Sequence, residues 1–192
     1  MKKLLLSVAI IASGLTINAQ EIKFGAKAGL NISNISSDDF ENNAARTSFH
    51  VGAVAEIEIS DKFSVQPELL YSAQGATASQ EGIDVTMALD YLNVPVMAKY
   101  YVAEGFSLEV GPQIGFLMSA KMKEESGKEL ERQNIKDDLK SIDFGMNFGA
   151  GYKLENGLNF SARYNLGLSN IAEESENSVK NGVFQVSVGY NF

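Results

Sequence analysis

The chain has 192 residues, with no Cys, no Trp, one His and a formal charge of −8. Without Cys it can build neither a disulfide framework nor a thiolate metal site, and its acidity opposes nucleic-acid binding. Mean hydropathy is −0.07 and no long apolar run follows the first twenty residues, which excludes a helical membrane protein.

In chain order, residues 1–19 read as a secretory signal peptide. Lys2 and Lys3 form its charged start, Leu4 to Ile17 its apolar stretch, and Ile17-Asn18-Ala19 its cleavage site. The mature chain then begins at Gln20, and residues 20–192 form a single domain. Loss of Lys2 and Lys3 leaves 14 basic against 24 acidic residues, a charge of −10. No Cys stands at the new terminus, so no lipoprotein anchor is expected.

The mature chain sorts by period two into eight segments. The first, Glu21 to Ser33, sets Ile22, Phe24, Ala26, Ala28, Leu30 and Ile32 against Glu21, Lys23, Gly25, Lys27, Gly29, Asn31 and Ser33. The second, Ser48 to Ser60, carries Phe49, Val51, Ala53, Ala55, Ile57 and Ile59. The third carries Phe63, Val65, Leu69, Tyr71 and Ala73, and the fourth Leu92, Val94, Val96, Ala98 and Tyr100. The fifth carries Phe106, Leu108, Val110, Ile114, Phe116 and Met118. The sixth, seventh and eighth run from Ile142 to Tyr152, Leu158 to Leu168 and Phe184 to Phe192. Asp61-Lys62, Val102 to Gly105 and Leu154 to Gly157 make tight turns, the last with a hairpin signal. Asn34 to Thr47, Ala76 to Ala88, Ala120 to Lys140 and Ser169 to Asn181 make long polar loops. Short turns at one end and long loops at the other are the pattern of an all-β, eight-stranded antiparallel up-and-down transmembrane β-barrel.

Alternation alone does not say which face looks outward. In a soluble, lipocalin-like barrel the apolar face points inward; in a membrane barrel it meets lipid. The polar face decides. A water-exposed face should be rich in charge, yet here it is mostly Gly, Ser, Asn and Gln, which suit the crowded inside of an eight-stranded barrel. Its mid-strand charges are Lys27, Lys99 and Arg163 against Glu56, Glu68 and Glu109, and pairing among them is expected, because a buried unpaired charge costs several kcal/mol or more. Phe24, Phe63, Tyr100, Phe106, Tyr152, Tyr190 and Phe192 at one end, and Phe49, Tyr71, Phe116, Phe144 and Phe184 at the other, are candidate interfacial girdles. Pro67, Pro95 and Pro112 fall in three successive strands and predict bulges there.

Candidate chemistry is sparse. His50, the only histidine, shares a face with Ser48, but nothing in the sequence supplies the third, orienting group that acyl-transfer chemistry needs. Asp38-Asp39, Asp137-Asp138 and Glu173-Glu174-Glu176 lack a calcium-loop spacing, so no metal and no cofactor is expected. The segment Ala120 to Lys140 holds six basic and six acidic residues, and the spacing of Glu124 and Lys128 allows a short helix.

Three motifs carry a resemblance. Gln66-Pro67-Glu68-Leu69-Leu70-Tyr71-Ser72 with Gly75, Tyr91-Leu92-Asn93-Val94-Pro95 before Lys99-Tyr100-Tyr101, and Gly111-Pro112-Gln113-Ile114-Gly115-Phe116 resemble the PorT-like, "porin family" outer-membrane β-barrel proteins of Bacteroidetes. The resemblance covers essentially the whole mature chain. It implies residence in the outer membrane and a C-terminal assembly signal, matched here by Phe184, Val186, Val188, Tyr190 and Phe192, that the barrel-assembly machinery reads. The family's link to gliding and type IX secretion belongs to its name-giving member and is not carried over. The expected role is structural or interactive, through the external loops and not as an enzyme, with outer-membrane lipid and lipopolysaccharide around it and an external protein as partner. Alternatives are a narrow pore or small-solute transporter, a soluble periplasmic lipocalin-like ligand carrier, and a lipid-modifying enzyme.

Overall fold

The computed structural model describes residues 21–36, 44–80, 83–126, 129–172 and 179–192; the expected signal segment lies outside them. The described residues form β1 (Ile22–Ser36), β2 (Ala44–Ser60), β3 (Phe63–Gln80), β4 (Ile83–Ala103), β5 (Phe106–Ser126), β6 (Glu129–Asn134), a 3₁₀ turn (Lys136–Asp138), β7 (Ile142–Lys153), β8 (Leu158–Gly167) and β9 (Lys180–Asn191). Each barrel strand pairs antiparallel with its neighbour in sequence. β9 pairs with β1 from Gly25↔Asn191 to Ser36↔Lys180 and closes the wall. Eight strands make the barrel. β6 adds only to the outer part of β5, from Lys121↔Asn134 to Ser126↔Glu129.

The period-two sequence now has one side for each set of residues. Leu108 and Phe148 are 51% and 50% exposed on the outside, while Glu68 and Arg163 are 3% and 2% exposed in the bore. Of the girdle aromatics, Phe24, Tyr100, Phe106, Tyr152, Tyr190 and Phe192, with Phe49, Tyr71, Phe116, Phe144 and Phe184, are exposed, and Phe63 is half-buried. A continuous apolar belt of this kind far exceeds the patches a water-soluble monomer shows; against acyl chains it is the stable arrangement. The alternative of a soluble carrier with its apolar face inward is not the arrangement seen.

The tight turns fall where expected. At the β7–β8 turn Gly157 has φ +89°, a left-handed conformation that glycine adopts without penalty, and its N–H donates to Leu154 O.

Three expectations are corrected. The loop expected at Ala76 to Ala88 is largely ladder, since β3 and β4 pair out to Gln80↔Ile83. The segment Ala120 to Lys140 is a β5–β6 hairpin and a 3₁₀ turn, with Glu124 in β5; Lys128 lies outside the described residues. An i,i+4 pair contributes only about 0.2–0.5 kcal/mol, too little to outweigh continuing a ladder already running on β4. The bulges expected at the prolines are absent. The ladders pass Pro67, Pro95 and Pro112 without a register shift and instead skip rungs, between Val54↔Glu68 and Ile57↔Val65, Pro67↔Val96 and Leu70↔Asn93, and Pro95↔Gln113 and Ala98↔Val110. A missing N–H removes a bond but needs no extra residue.

A register shift does occur higher in the β4–β5 ladder. Asp90 pairs with Ser119 but Tyr91 with Leu117, so Met118 is an extra residue in β5. Such a bulge swaps the two faces of the strand beyond it. Below it Gln113 and Leu117 are buried; above it Ala120 is buried and Lys121 is exposed.

Candidate functional site: the barrel interior

The inward side chains change in kind along the bore, from ionic at the end with the tight turns, through neutral polar, to apolar at the far end. The ionic part draws one or more residues from six strands. Arg163 of β8 is its centre. Its Nη1 and Nη2 donate to Glu68 Oε2 and Oε1 at 2.8 and 2.7 Å, and its Nε donates to Glu109 Oε2 at 2.8 Å. This uses the planar fork of the guanidinium on one carboxylate and its third edge on another. Lys27 Nζ lies 3.2 Å from Glu68 Oε1, and Lys99 Nζ lies 3.3 Å from Glu56 Oε1 and 3.7 Å from Glu109 Oε1. The structure therefore brings Lys27, Glu56, Glu68, Lys99, Glu109 and Arg163 into one connected chain, all buried.

Neutral groups complete it. Gln66 Nε2 donates to Glu68 Oε1 at 2.6 Å, and its Oε1 accepts from Lys99 Nζ at 3.1 Å. Ser64 Oγ donates to Glu56 Oε1 at 2.9 Å, and the Tyr101 hydroxyl also donates to Glu56. Such dense pairing is what a dry interior demands of charge.

The chain of charges extends beyond the six mid-strand residues. Lys153 Nζ lies 2.9 Å from Glu56 and 3.5 Å from Glu58, and Lys23 Nζ lies 2.8 Å from Glu58 and 3.6 Å from Glu21. The sequence does carry a signal for them: Lys23, Glu58 and Lys153 keep the parity of the polar face on their strands. At strand ends, though, such residues look the same as surface charges. Among the described residues the ion pairs join five cations to five carboxylates. This paired set is therefore neutral, and the acid excess of the chain lies outside it.

Room for Arg163 comes from its neighbour on β7. A Cβ at Gly149 would sit 2.6 Å from Arg163 Cγ and 2.5 Å from Ala162 O. Gly149→Val is expected to destabilise the barrel by roughly 1–3 kcal/mol through overpacking. Ala150→Val, on the outer side of the same strand, is expected to change stability by less than about 0.5 kcal/mol. Urea unfolding midpoints in lipid vesicles check both.

The middle of the bore is a hydrogen-bond lattice. His50 Nδ1 is 2.8 Å from Asn31 Oδ1 and His50 Nε2 is 2.8 Å from Ser187 Oγ. Asn31 Oδ1 also accepts from Gln185 Nε2 at 2.9 Å, and Asn31 Nδ2 donates to Ala73 O at 2.6 Å. The third group that the sequence alone does not reveal is thus Asn31, and the hydroxyl is that of Ser187. Ser48 Oγ instead donates to Ala73 O at 2.6 Å. All of His50, Asn31 and Ser187 are buried in the packed bore.

At the far end the bore is closed by apolar side chains. Ile35, Ala76, Leu89, Tyr91, Leu117, Ala120, Ile135, Leu139 and Ile171 form one buried cluster, with Met87, Met122 and Val179 against it. The 3₁₀ segment is tied across it: Ile135 N–H donates to Ala120 O at 3.1 Å and Lys140 N–H to Ile171 O at 2.8 Å. Periodicity does not show this cap, because Ile135, Leu139 and Ile171 are isolated apolar residues in charged segments. At the opposite end a recess of about 500 Å³ is bordered by Glu58, Tyr101, Glu104 and Lys153.

On β9, Phe184, Val186, Val188 and Tyr190 all face outward, and the exposed Phe192 is held by its N–H, which donates to Phe24 O at 2.8 Å. No group of three or more His, Cys, Asp or Glu side chains suited to a metal occurs among the described residues.

Comparison with known proteins agrees with this architecture. No curated protein matches the chain in sequence. Ail, the attachment invasion locus protein of Yersinia pestis, superimposes with a TM-score of 0.53 at 17% identity, covering 90% of this chain and 99% of Ail. Ail in complex with the heparin analogue sucrose octasulfate gives 0.55 at 18% identity, with the same coverage. Neisserial surface protein A gives 0.54 at 13% identity, covering 88% and 97%. At these identities the likeness is one of fold. The family model for the outer membrane protein β-barrel domain matches residues 18–173. With its closed eight-stranded wall, lipid-side apolar belt and polar filled bore, the chain belongs to the outer membrane β-barrel domain family.

Proposed function

We propose that this protein is a closed barrel of the outer membrane whose work is structural or adhesive, done by the outer hairpins and loops. The observation that carries the reading is the filled bore: a buried ion-pair chain lies in series with a buried apolar cluster. An eight-stranded barrel is only wide enough for side chains to fill, and here they do. Ail is the attachment invasion locus protein, and a contact role of that kind is the one assigned here. The PorT-like resemblance fits the same reading. Residues 1–19 act as the export signal, and the outward row Phe184, Val186, Val188, Tyr190 and Phe192 is read during assembly.

Catalysis is not part of this reading. Ser187, His50 and Asn31 line up as a hydrogen-bonded series, but a substrate acyl group needs room beside the nucleophile, and the serine is walled in. A narrow pore is the second reading, favoured by the recess against Tyr101 and Lys153. Single-channel recording in planar bilayers separates the two. A flat trace is expected; steady conductance steps would replace the contact reading with the pore.

A further inference from the structure

Ser161 of β8 points into the ionic part of the bore. It is 9% exposed, and its Oγ has no hydrogen-bond partner among the described residues. A buried hydroxyl in that position is costly without a partner. It borders a cavity of about 10 Å³ whose wall also holds Lys27, Lys99, Ser107 and Glu109. These groups have bonding capacity to spare. Lys27 Nζ lies 3.2 Å from Glu68 Oε1, which engages one of the three donors of an ammonium. Glu109 Oε2 is held by Arg163 Nε, but Glu109 Oε1 has Ser107 Oγ at 3.5 Å and Lys99 Nζ at 3.7 Å. Both separations exceed the usual hydrogen-bond length, and contacts that long are where a bridging molecule belongs. Gly151 keeps the ground beside that oxygen clear, since a Cβ there would stand 2.6 Å from Glu109 Oε1 and 3.1 Å from Ser107 Oγ.

Size and charge together define the occupant. A cavity of roughly 10–15 Å³ holds one water-sized sphere, so halide ions and organic ligands are too large. The ion pairs around it join five cations to five carboxylates. An added ion of either sign would therefore be an unpaired buried charge. A neutral molecule that both donates and accepts fits the wall: the carboxylate oxygen receives, the ammonium gives, and the hydroxyl does either.

We infer that this cavity is the binding site of a single water molecule, which donates to Glu109 Oε1, accepts from Lys27 Nζ and is hydrogen-bonded to Ser161 Oγ. It ties β8 to β5 and β1 at the level of Arg163 and completes the ion-pair chain. Single ordered waters of this kind are part of close-packed interiors, so the bore stays closed. Lys153 borders both this cavity and the recess at the tight-turn end, which gives the water its way in. The inference does not depend on the contact role of the barrel. The test is a high-resolution crystal structure of the full mature barrel grown from detergent. One spherical density peak is expected within hydrogen-bond distance of both Ser161 Oγ and Glu109 Oε1. Soaking the crystals in sodium bromide is expected to leave that position without an anomalous signal. Ser161→Val places a methyl group in the cavity and removes the hydroxyl, and the peak is expected to be lost. Heat-modified mobility on gels confirms that the variant is folded. No peak in the natural protein, a bromide signal at the site, or a peak that persists in Ser161→Val would each overturn the assignment.

Discussion

Glu68→Ala is expected to lower barrel stability by about 3–5 kcal/mol, the usual consequence of removing one member of a buried ion pair. Glu68 accepts from both ends of the Arg163 fork and from Lys27, so its loss leaves Lys27 without its ion pair and Arg163 held by Glu109 alone in a dry bore. Glu68→Arg should be worse, because it adds a third. Combining Glu68→Arg with Arg163→Glu restores one opposed pair at the same separation across the bore, and at least half of the lost stability should return. Lys27 then faces an arginine, so recovery is incomplete. Urea unfolding in vesicles and the temperature of the mobility change on gels both read this. Additive losses with no recovery in the swapped variant would show that the charges are not acting as partners.

Phe148→Arg tests the outer surface. Phe148 pairs with Val110 and Tyr164, near mid-height of the wall, and is 50% exposed. A cation there meets the centre of the bilayer and should cost about 2–4 kcal/mol. Tyr152→Arg, on the same strand at the girdle, should cost about 0–1 kcal/mol, since its side chain reaches the head groups. The diagnostic feature is the difference between two sites on one strand. Equal costs at both heights would mean that the apolar belt does not face acyl chains.

Much of this architecture is legible from alternation. The outward set of β1, from Ile22 to Ile32, can be read without error because each side chain has one neighbour class, lipid or bore. The six mid-strand charges stand out for the same reason: on a face of Gly, Ser, Asn and Gln they are the residues that demand partners. Who pairs with whom is not legible. Lys27 and Glu68 are forty-one residues apart and meet only because β1 and β3 lean across the bore. The outer hairpin is hidden because its charged residues mask a second alternation, Met87 and Leu89 against Ala120 and Met122, whose parity changes at Met118. A one-residue bulge has no composition signature. Nor does the cap, which gathers single apolar residues from separated segments. The prolines point to the right strands but the wrong deformation, since an absent donor can be accommodated by a skipped rung as well as by an inserted residue.

Those skipped rungs give the interior charges a mechanical role. Over β2 to β5 the main chain leaves three neighbouring seams unlaced along a diagonal. Ser64 and Glu56 tie the first of these strand pairs together, Lys99 and Gln66 the second, and Lys99 and Glu109 the third. Side chains there act as rivets where backbone stitching is interrupted. Emptying the bore and loosening the wall are therefore one event at that height, and selection for an open channel would have to re-lace the sheet first.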